Sequence, residues 1–236
     1  MKTLLILLGL GLMPIHSCTT SHKMSDNQKS SGHYRLYTYP EKTPERSFDE
    51  KRFKRIVFVS SNDFKGNIFP KVTPIPNRFN ESRLLKVGGV SAMKTYLDIF
   101  RDRYGDDMVY VDAGSFLDIK KNHLQTIFLY KYLGVEVSSL GLNEFLVDTP
   151  TSSSHINYLA TLTRDLSFDL VNANLFNLMK AEQVVLPGSS ETVIKEVNGL
   201  KVGFVGVLTR DLSKKIPDQK INGLYIQNPI KNVISQ

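Results

Sequence analysis

The chain has 236 residues, 41% of them apolar and 22% charged, which is the balance of an ordinary soluble globular protein with room for one sizeable domain and a tail. Its net charge of +7 is unevenly spread: residues 19–55 hold nine basic and five acidic residues, and residues 56–236 hold twenty and eighteen. No basic stripe interleaved with aromatics occurs in the folded part, so a nucleic-acid partner is not expected, and the excess near the N-terminus reads as a solvated linker that also suits anionic headgroups.

Met1-Lys2 places a positive charge ahead of an apolar and glycine run from Leu4 to Met13. That run is too short to cross a bilayer as a helix, which takes ~20 residues, and it has the form of an export-signal core. It leads into Ile15-His16-Ser17-Cys18, and Cys18 is the only cysteine. A lone cysteine cannot staple a fold and needs another purpose. The context resembles a bacterial lipobox, in which a small residue precedes a cysteine that is lipidated and becomes the mature N-terminus. His16 departs from that pattern, and an ordinary signal cleaved near Ser17 is the alternative. Thr19 follows the cysteine, with no Asp to mark inner-membrane retention. The expectation is therefore an exported protein whose acyl chains anchor it in the cell envelope, at the outer membrane facing the periplasm.

Residues 19–50 are rich in Ser, Thr, Lys, Asn and Pro without apolar periodicity and read as a flexible stalk. The domain then occupies residues 51–236. A buried-type strand is expected from Arg55 to Ser60, followed by a polar loop, Ser61-Asn62-Asp63-Phe64-Lys65-Gly66-Asn67. Residues 70–87 contain three prolines and read as an irregular excursion. Gly88-Gly89 opens a helix to about Tyr104, with Val90, Met93, Leu97 and Phe100 on one face, and Gly105 ends it. A strand is expected at Met108–Asp112, a helix at 121–133 closed by Gly134, a strand at Val135–Leu140, a loop at Gly141–Pro150, a helix at 152–164 and a short strand at Asp169–Asn172. Glu191–Val197 and Lys201–Val207, joined by Asn198-Gly199, read as a β-hairpin. The alternation argues an α/β fold whose functional loops lie past the strand C-termini.

Three of those loops carry the remaining information: Asn62-Asp63-Phe64-Lys65-Gly66-Asn67, Asp112-Ala113-Gly114-Ser115-Phe116 and Gly141-Leu142-Asn143-Glu144-Phe145. Their order and spacing, with Gly88-Gly89, Asn172-Ala173-Asn174-Leu175 and the Asn198-Gly199-Leu200-Lys201-Val202-Gly203 hairpin, resemble the catalytic domain of bacterial 5′-nucleotidases within the calcineurin-like metallophosphoesterases. The resemblance runs from about Ile56 to Asn228 and implies the front part of an αββα sandwich. In that family the loops read Asn-Asp-Phe-His-Gly, Asp-Ala-Gly-Asp-Phe and Gly-Asn-His-Glu-Phe. Two divalent ions bridged by an aspartate bind the phosphate and generate a hydroxide nucleophile.

Carried over position by position, the resemblance leaves Asp63 as the single remnant of the metal site. Lys65 stands in place of a His ligand, Ser115 of the bridging Asp, Leu142 of an Asn ligand and Asn143 of the catalytic His; Glu144 remains but is not a ligand in the family. An ammonium offers only donors and repels a metal ion. Serine lacks the bridging charge, leucine cannot ligate, and asparagine cannot give up a proton near neutral pH. Beyond the stalk only His123 and His155 remain, both expected at the surface. The family's later His motifs and its C-terminal substrate domain have no counterpart before Gln236, and missing strands would leave a sheet edge for a protein partner to supply or cover. The resulting expectation is a nucleotidase-like lipoprotein with no catalytic residue and no bound cofactor, although its ancestral site would hold two divalent ions. The alternatives are one part of a split metal-dependent phosphohydrolase, or a non-catalytic binding or scaffold protein.

Overall fold

The computed structural model describes residues 53–76, 81–120, 122–150 and 154–234, with the backbone alone of residues 4–9. Cys18 and the stalk lie outside the described residues. The strands are β1 (Leu4–Gly9), β2 (Val57–Ser61), β3 (Lys71–Pro76), β4 (Ser82–Val87), β5 (Met108–Asp112) and β6 (Val137–Ser139). They continue with β7 (Asp169–Val171), β8 (Leu175–Asn177), β9 (Ser189–Ser190), β10 (Thr192–Val197), β11 (Leu200–Val207) and β12 (Leu224–Ile226). The helices are α1 (Gly89–Tyr104), α2 (His123–Leu133), α3 (Leu142–Leu146), α4 (His155–Thr163), α5 (Asp218–Ile221) and α6 (Pro229–Ile234).

Five strands form a parallel sheet in the order β2-β5-β6-β7-β9. Its second strand, β5, lies between β2 and β6 and is buried along its whole length, as a continuous apolar run in a two-faced parallel sheet must be. β10 and β11 form an antiparallel hairpin, and Asn198 (φ 50°) with Gly199 (φ 68°) supplies the left-handed pair that its two-residue turn requires. β1 adds parallel to β11 on the other side, from Leu4 opposite Val202 to Gly9 opposite Val207. β8 and β12 make a small antiparallel pair.

The two sheets face each other through Val109, Val111, Val137 and Val171 from one side and Val197, Val202 and Phe204 from the other. Alternation along β5 sends Met108 and Tyr110 the opposite way, into a larger core with Leu97, Tyr130, Leu133, Leu159 and Leu162 of the helices. On the far face of β11, Val205 and Val207 pack with Ala173 and Val233 of α6. The order of layers is therefore helix, parallel sheet, second sheet, helix.

Two local readings need correction. Residues 70–87 are not irregular: β3 and β4 pair from Lys71 opposite Val87 to Pro76 opposite Ser82. Pro74 and Pro76 share one parity, so the donors they lack fall on the outer side of β3, where a hairpin needs none. Phe100, expected on the inner face of α1, is 38% exposed and stacks on Tyr104 at 6.4 Å.

Candidate functional site

The loops after β2, β5 and β6 meet at the C-terminal end of the parallel sheet, as the topology requires. The first is laced to the second by backbone bonds: Asp63, Lys65 and Gly66 N–H groups donate to Gly114, Ser115 and Phe116 carbonyls, each at 3.0 Å. The second lies against the third so closely that a Cβ on Gly114 (φ 94°) would sit 2.7 Å from the Leu140 carbonyl carbon. Asp63, Lys65 and Ser115 all hold left-handed backbone, at φ 54°, 52° and 57°, a conformation that costs a non-glycine residue about 1 kcal/mol or more.

Glu144 is the keystone of the second and third loops. Its carboxylate accepts from Ser115 N at 2.9 Å, Leu117 N at 3.0 Å and Gly141 N at 2.7 Å, with no exposed surface. Three N–H donors favour the charged form, yet burial outweighs them and pushes its carboxyl up to about 7. Asp112, at the end of β5, accepts from Ser61 Oγ at 2.6 Å, Gly114 N at 2.8 Å and Ser138 Oγ at 3.3 Å. Burial raises it to about 6. Since the Ser61 hydroxyl donates to Asp112, its contact with the Tyr110 hydroxyl at 2.8 Å has the tyrosine donating, and burial lifts that phenol to about 12. Both carboxyls thus serve the loop frame and face inward.

The positions that the resemblance assigns to metal and catalysis do not assemble a ligand set. Asp63 Oδ1 stands 3.3 Å from Lys65 Nζ, both side chains near half exposed at 45% and 49%. Such an exposed pair contributes between nothing and about 1 kcal/mol. Ser115 is 1% exposed, and its Oγ accepts from Asn143 N at 3.4 Å. Leu142 packs against the main core. Asn143, whose amide chemistry alone suits a phosphate oxygen, is 4% exposed and donates inward to the Leu117 carbonyl at 2.8 Å. Among the described residues no group of three or more His, Cys, Asp or Glu is placed to hold a metal ion. The donors present in these loops do not fit a pair of divalent ions: one carboxylate, already facing an ammonium, is the only charged ligand they offer.

The two histidines expected at the surface are buried, each 7% exposed. His123 opens α2 with Nδ1 2.9 Å from the Tyr158 hydroxyl, and His155 opens α4 with Nε2 3.0 Å from the Glu144 carbonyl oxygen. Burial lowers the pKa of His155. Helix-start positions tuck these rings under the first turn, against neighbouring aromatics: Tyr158 at 5.8 Å from His123 and Phe145 at 6.5 Å from His155. His155 thus meets the third loop through the Glu144 backbone, while the described hydrogen bond of His123 goes to α4.

Sequence reasoning quoted Asn174 only as part of a motif, and its role is structural. It is fully buried, donates to the Leu208 and Gln227 carbonyls at 2.8 and 3.0 Å, and accepts from Leu208 N at 2.7 Å. One amide side chain thereby ties the exit of β7 to the exits of β11 and β12. Asn172, two residues earlier and 4% exposed, has neither side-chain polar atom hydrogen-bonded.

Compared with models of protein families the sequence matches none, and it matches no curated protein. Solved structures do match. A 5′-nucleotidase precursor from Thermus thermophilus superposes with a TM-score of 0.56 at 18% identity, over 75% of this chain and 33% of that one. A 5′-nucleotidase from Staphylococcus aureus gives 0.58 at 17%, over 76% and 34%. A calcineurin-like phosphoesterase from Bacillus subtilis gives 0.55 at 15%, over 75% and 55%. The chain thus spans about a third of the length of the nucleotidases it matches. The shared layers, parallel sheet and loop placement make this a chain with the fold of the calcineurin-like phosphoesterases and 5′-nucleotidases, over part of their length.

Proposed function

We propose that this chain is an envelope lipoprotein of nucleotidase ancestry that does not by itself hydrolyse phosphate esters. One observation carries the reading. At the three loops where this fold would gather metal ligands, Ser115 and Asn143 are bonded inward and Lys65 faces the remaining Asp63. Hydrolysis by two metals needs several anionic and imidazole ligands around an open position, and beyond the inward-bonded Asp112 and Glu144 these loops supply one carboxylate. Anchoring rests on Cys18 and the apolar run before it: replacing Cys18 by Ser moves the protein from the membrane to the soluble fraction of the envelope, and an unchanged membrane fraction sinks the anchor.

Metal content and phosphate release test the inactivity. The full chain, dialysed against manganese and then offered nucleoside monophosphates, binds no stoichiometric metal and releases no phosphate above buffer. A variant carrying Lys65→His, Ser115→Asp, Leu142→Asn and Asn143→His is the comparison, its fold checked by circular dichroism. Two tightly held ions in the natural chain defeat the proposal.

A second reading, a split hydrolase completed by another chain, draws on the pairing of β1. β1 holds the edge of β11 along Val202–Val207; processing at Cys18 would remove β1 and leave that edge for a partner's strand. Phosphate release by the full chain only when such a partner is present would favour it over the first.

A further inference from the structure

The β3–β4 hairpin is exposed along most of both its strands. Among the described residues its two strands pair with each other and with no other strand, although an isolated two-stranded ribbon is marginal in water. Register puts Val72 and Leu84 on one face and Leu85 and Val87 on the other. All four are exposed, at 59%, 72%, 47% and 36%, and Phe69 at the base of the ribbon is 76% exposed. Apolar groups thus point outward from both faces. A flat protein surface covers only one face of a ribbon. Addition of a strand along β3 is opposed by Pro74 and Pro76, which remove the outward donors.

Charge narrows the partner further. Across residues 69–76 and 81–87 there are three basic residues, Lys71, Arg83 and Lys86, against one acid, Glu81. The rest of residues 56–236 balances, with seventeen basic and seventeen acidic. The ribbon therefore carries the whole positive excess of the folded part beside its exposed apolar side chains. Apolar residues on two faces, ringed by cations, suit a surface that surrounds what dips into it and is negatively charged at the same depth.

We propose that the β3–β4 hairpin docks on the interfacial region of an anionic lipid bilayer, with Phe69, Val72, Leu84 and Leu85 among the headgroups and Lys71, Arg83 and Lys86 on lipid phosphates. The ribbon rises directly from the first site loop: Val90 N bonds to the Ile68 carbonyl at 2.9 Å, closing the base across Gly88-Gly89. Docking would set that loop cluster next to the membrane independently of any acyl chain.

The test uses the full chain with Cys18→Ser, so that acylation plays no part. Vesicles of mixed phosphatidylglycerol and phosphatidylcholine, and of phosphatidylcholine alone, are sedimented with the protein. The chain is expected on the anionic vesicles and not on the neutral ones. Lys71→Glu with Lys86→Glu lowers binding at least about tenfold, whereas Lys23→Glu with Lys29→Glu in the stalk lowers it by no more than a few-fold. The chain contains no tryptophan, so Leu84→Trp gives a single reporter whose emission shifts to the blue on anionic vesicles. Absence of binding, loss equal to or greater with the stalk pair, or an unshifted reporter on bound protein overturns the proposal. An acidic protein that protects the reporter while vesicles do not would assign the ribbon to that partner instead.

Discussion

The loop cluster and the β3–β4 hairpin both follow β2 within a few residues, yet they are held by opposite means. In the cluster the chain is tied by buried acceptors: Glu144 takes three backbone N–H groups, and three carbonyls of the second loop take those of the first. In the hairpin, among the described residues, the two strands are laddered to each other alone, and most of their apolar side chains stand in solvent. The contrast separates residues that hold the backbone from residues that the backbone merely carries. Asp112, Glu144 and Asn174 serve the backbone and would be needed whether or not a metal is bound. Lys65, Ser115, Leu142 and Asn143, the positions that the proposed ancestry assigns to metal and catalysis, are an exposed ion-pair partner, two inward-bonded polar residues and a core-facing leucine.

The largest expected effect follows from Glu144. Glu144→Ala leaves three buried N–H groups without an acceptor, and an orphaned buried donor costs roughly 1–3 kcal/mol. Water entering the space left behind recovers part of this, so a loss of roughly 3 kcal/mol or more is expected in urea unfolding of the full chain. Domains of this size have about 5–15 kcal/mol in total. A loss under about 1 kcal/mol would mean that the cluster is held no more firmly than the hairpin.

The same residue makes stability fall as pH rises. Folded Glu144 releases its proton near 7 instead of 4.5, and folded Asp112 near 6 instead of 3.8. Below the lower values both carboxyls are protonated in either state and do not oppose folding. Above them the unfolded chain ionises first, so favourable folding energy is lost until the folded groups ionise as well, which is complete above about pH 7. Glu136, raised by burial, acts in the same direction; His155, lowered by burial, acts against it. Comparing the natural chain with Glu144→Gln isolates one group. Between pH 4.5 and 7 the natural chain is expected to lose roughly 2–3 kcal/mol more than the variant, one pKa unit being about 1.4 kcal/mol. A parallel pair of curves would mean that the three N–H donors, and not burial, set the state of Glu144.

Much of this was legible in the sequence where periodicity and turn chemistry agree. β2, α1, β5, α2 and the Asn198-Gly199 hairpin fall within a residue or two of their expected places. The order of the loop motifs implied the layers that the structure contains. What the sequence concealed depends on parity and on distant partners. Prolines 74 and 76 read as breakers because only a strand register shows that both lack the same outward donor. His123 and His155 read as surface residues because the rings of Tyr158 and Phe145 that cover them come from other segments. Asn143 read only as a stand-in for the catalytic His, because its partner, the carbonyl of Leu117 twenty-six positions away, is invisible in a local motif.

The smallest expected effect is at the hairpin, and its smallness is what sharpens the comparison. Leu84 and Leu85 are exposed by 72% and 47%, so truncating them removes little area that folding had taken from water. Leu84→Ser with Leu85→Ser should shift the unfolding free energy by less than about 0.5 kcal/mol, the usual range for surface changes. A slight gain is also consistent, since two exposed apolar groups are lost from the ribbon surface. In contrast, a loss of 2 kcal/mol or so, the scale of a buried leucine, would show that these side chains are covered in the free protein. The ribbon would then be packed within the fold, as the loop cluster is, and would not be a surface kept open for a partner.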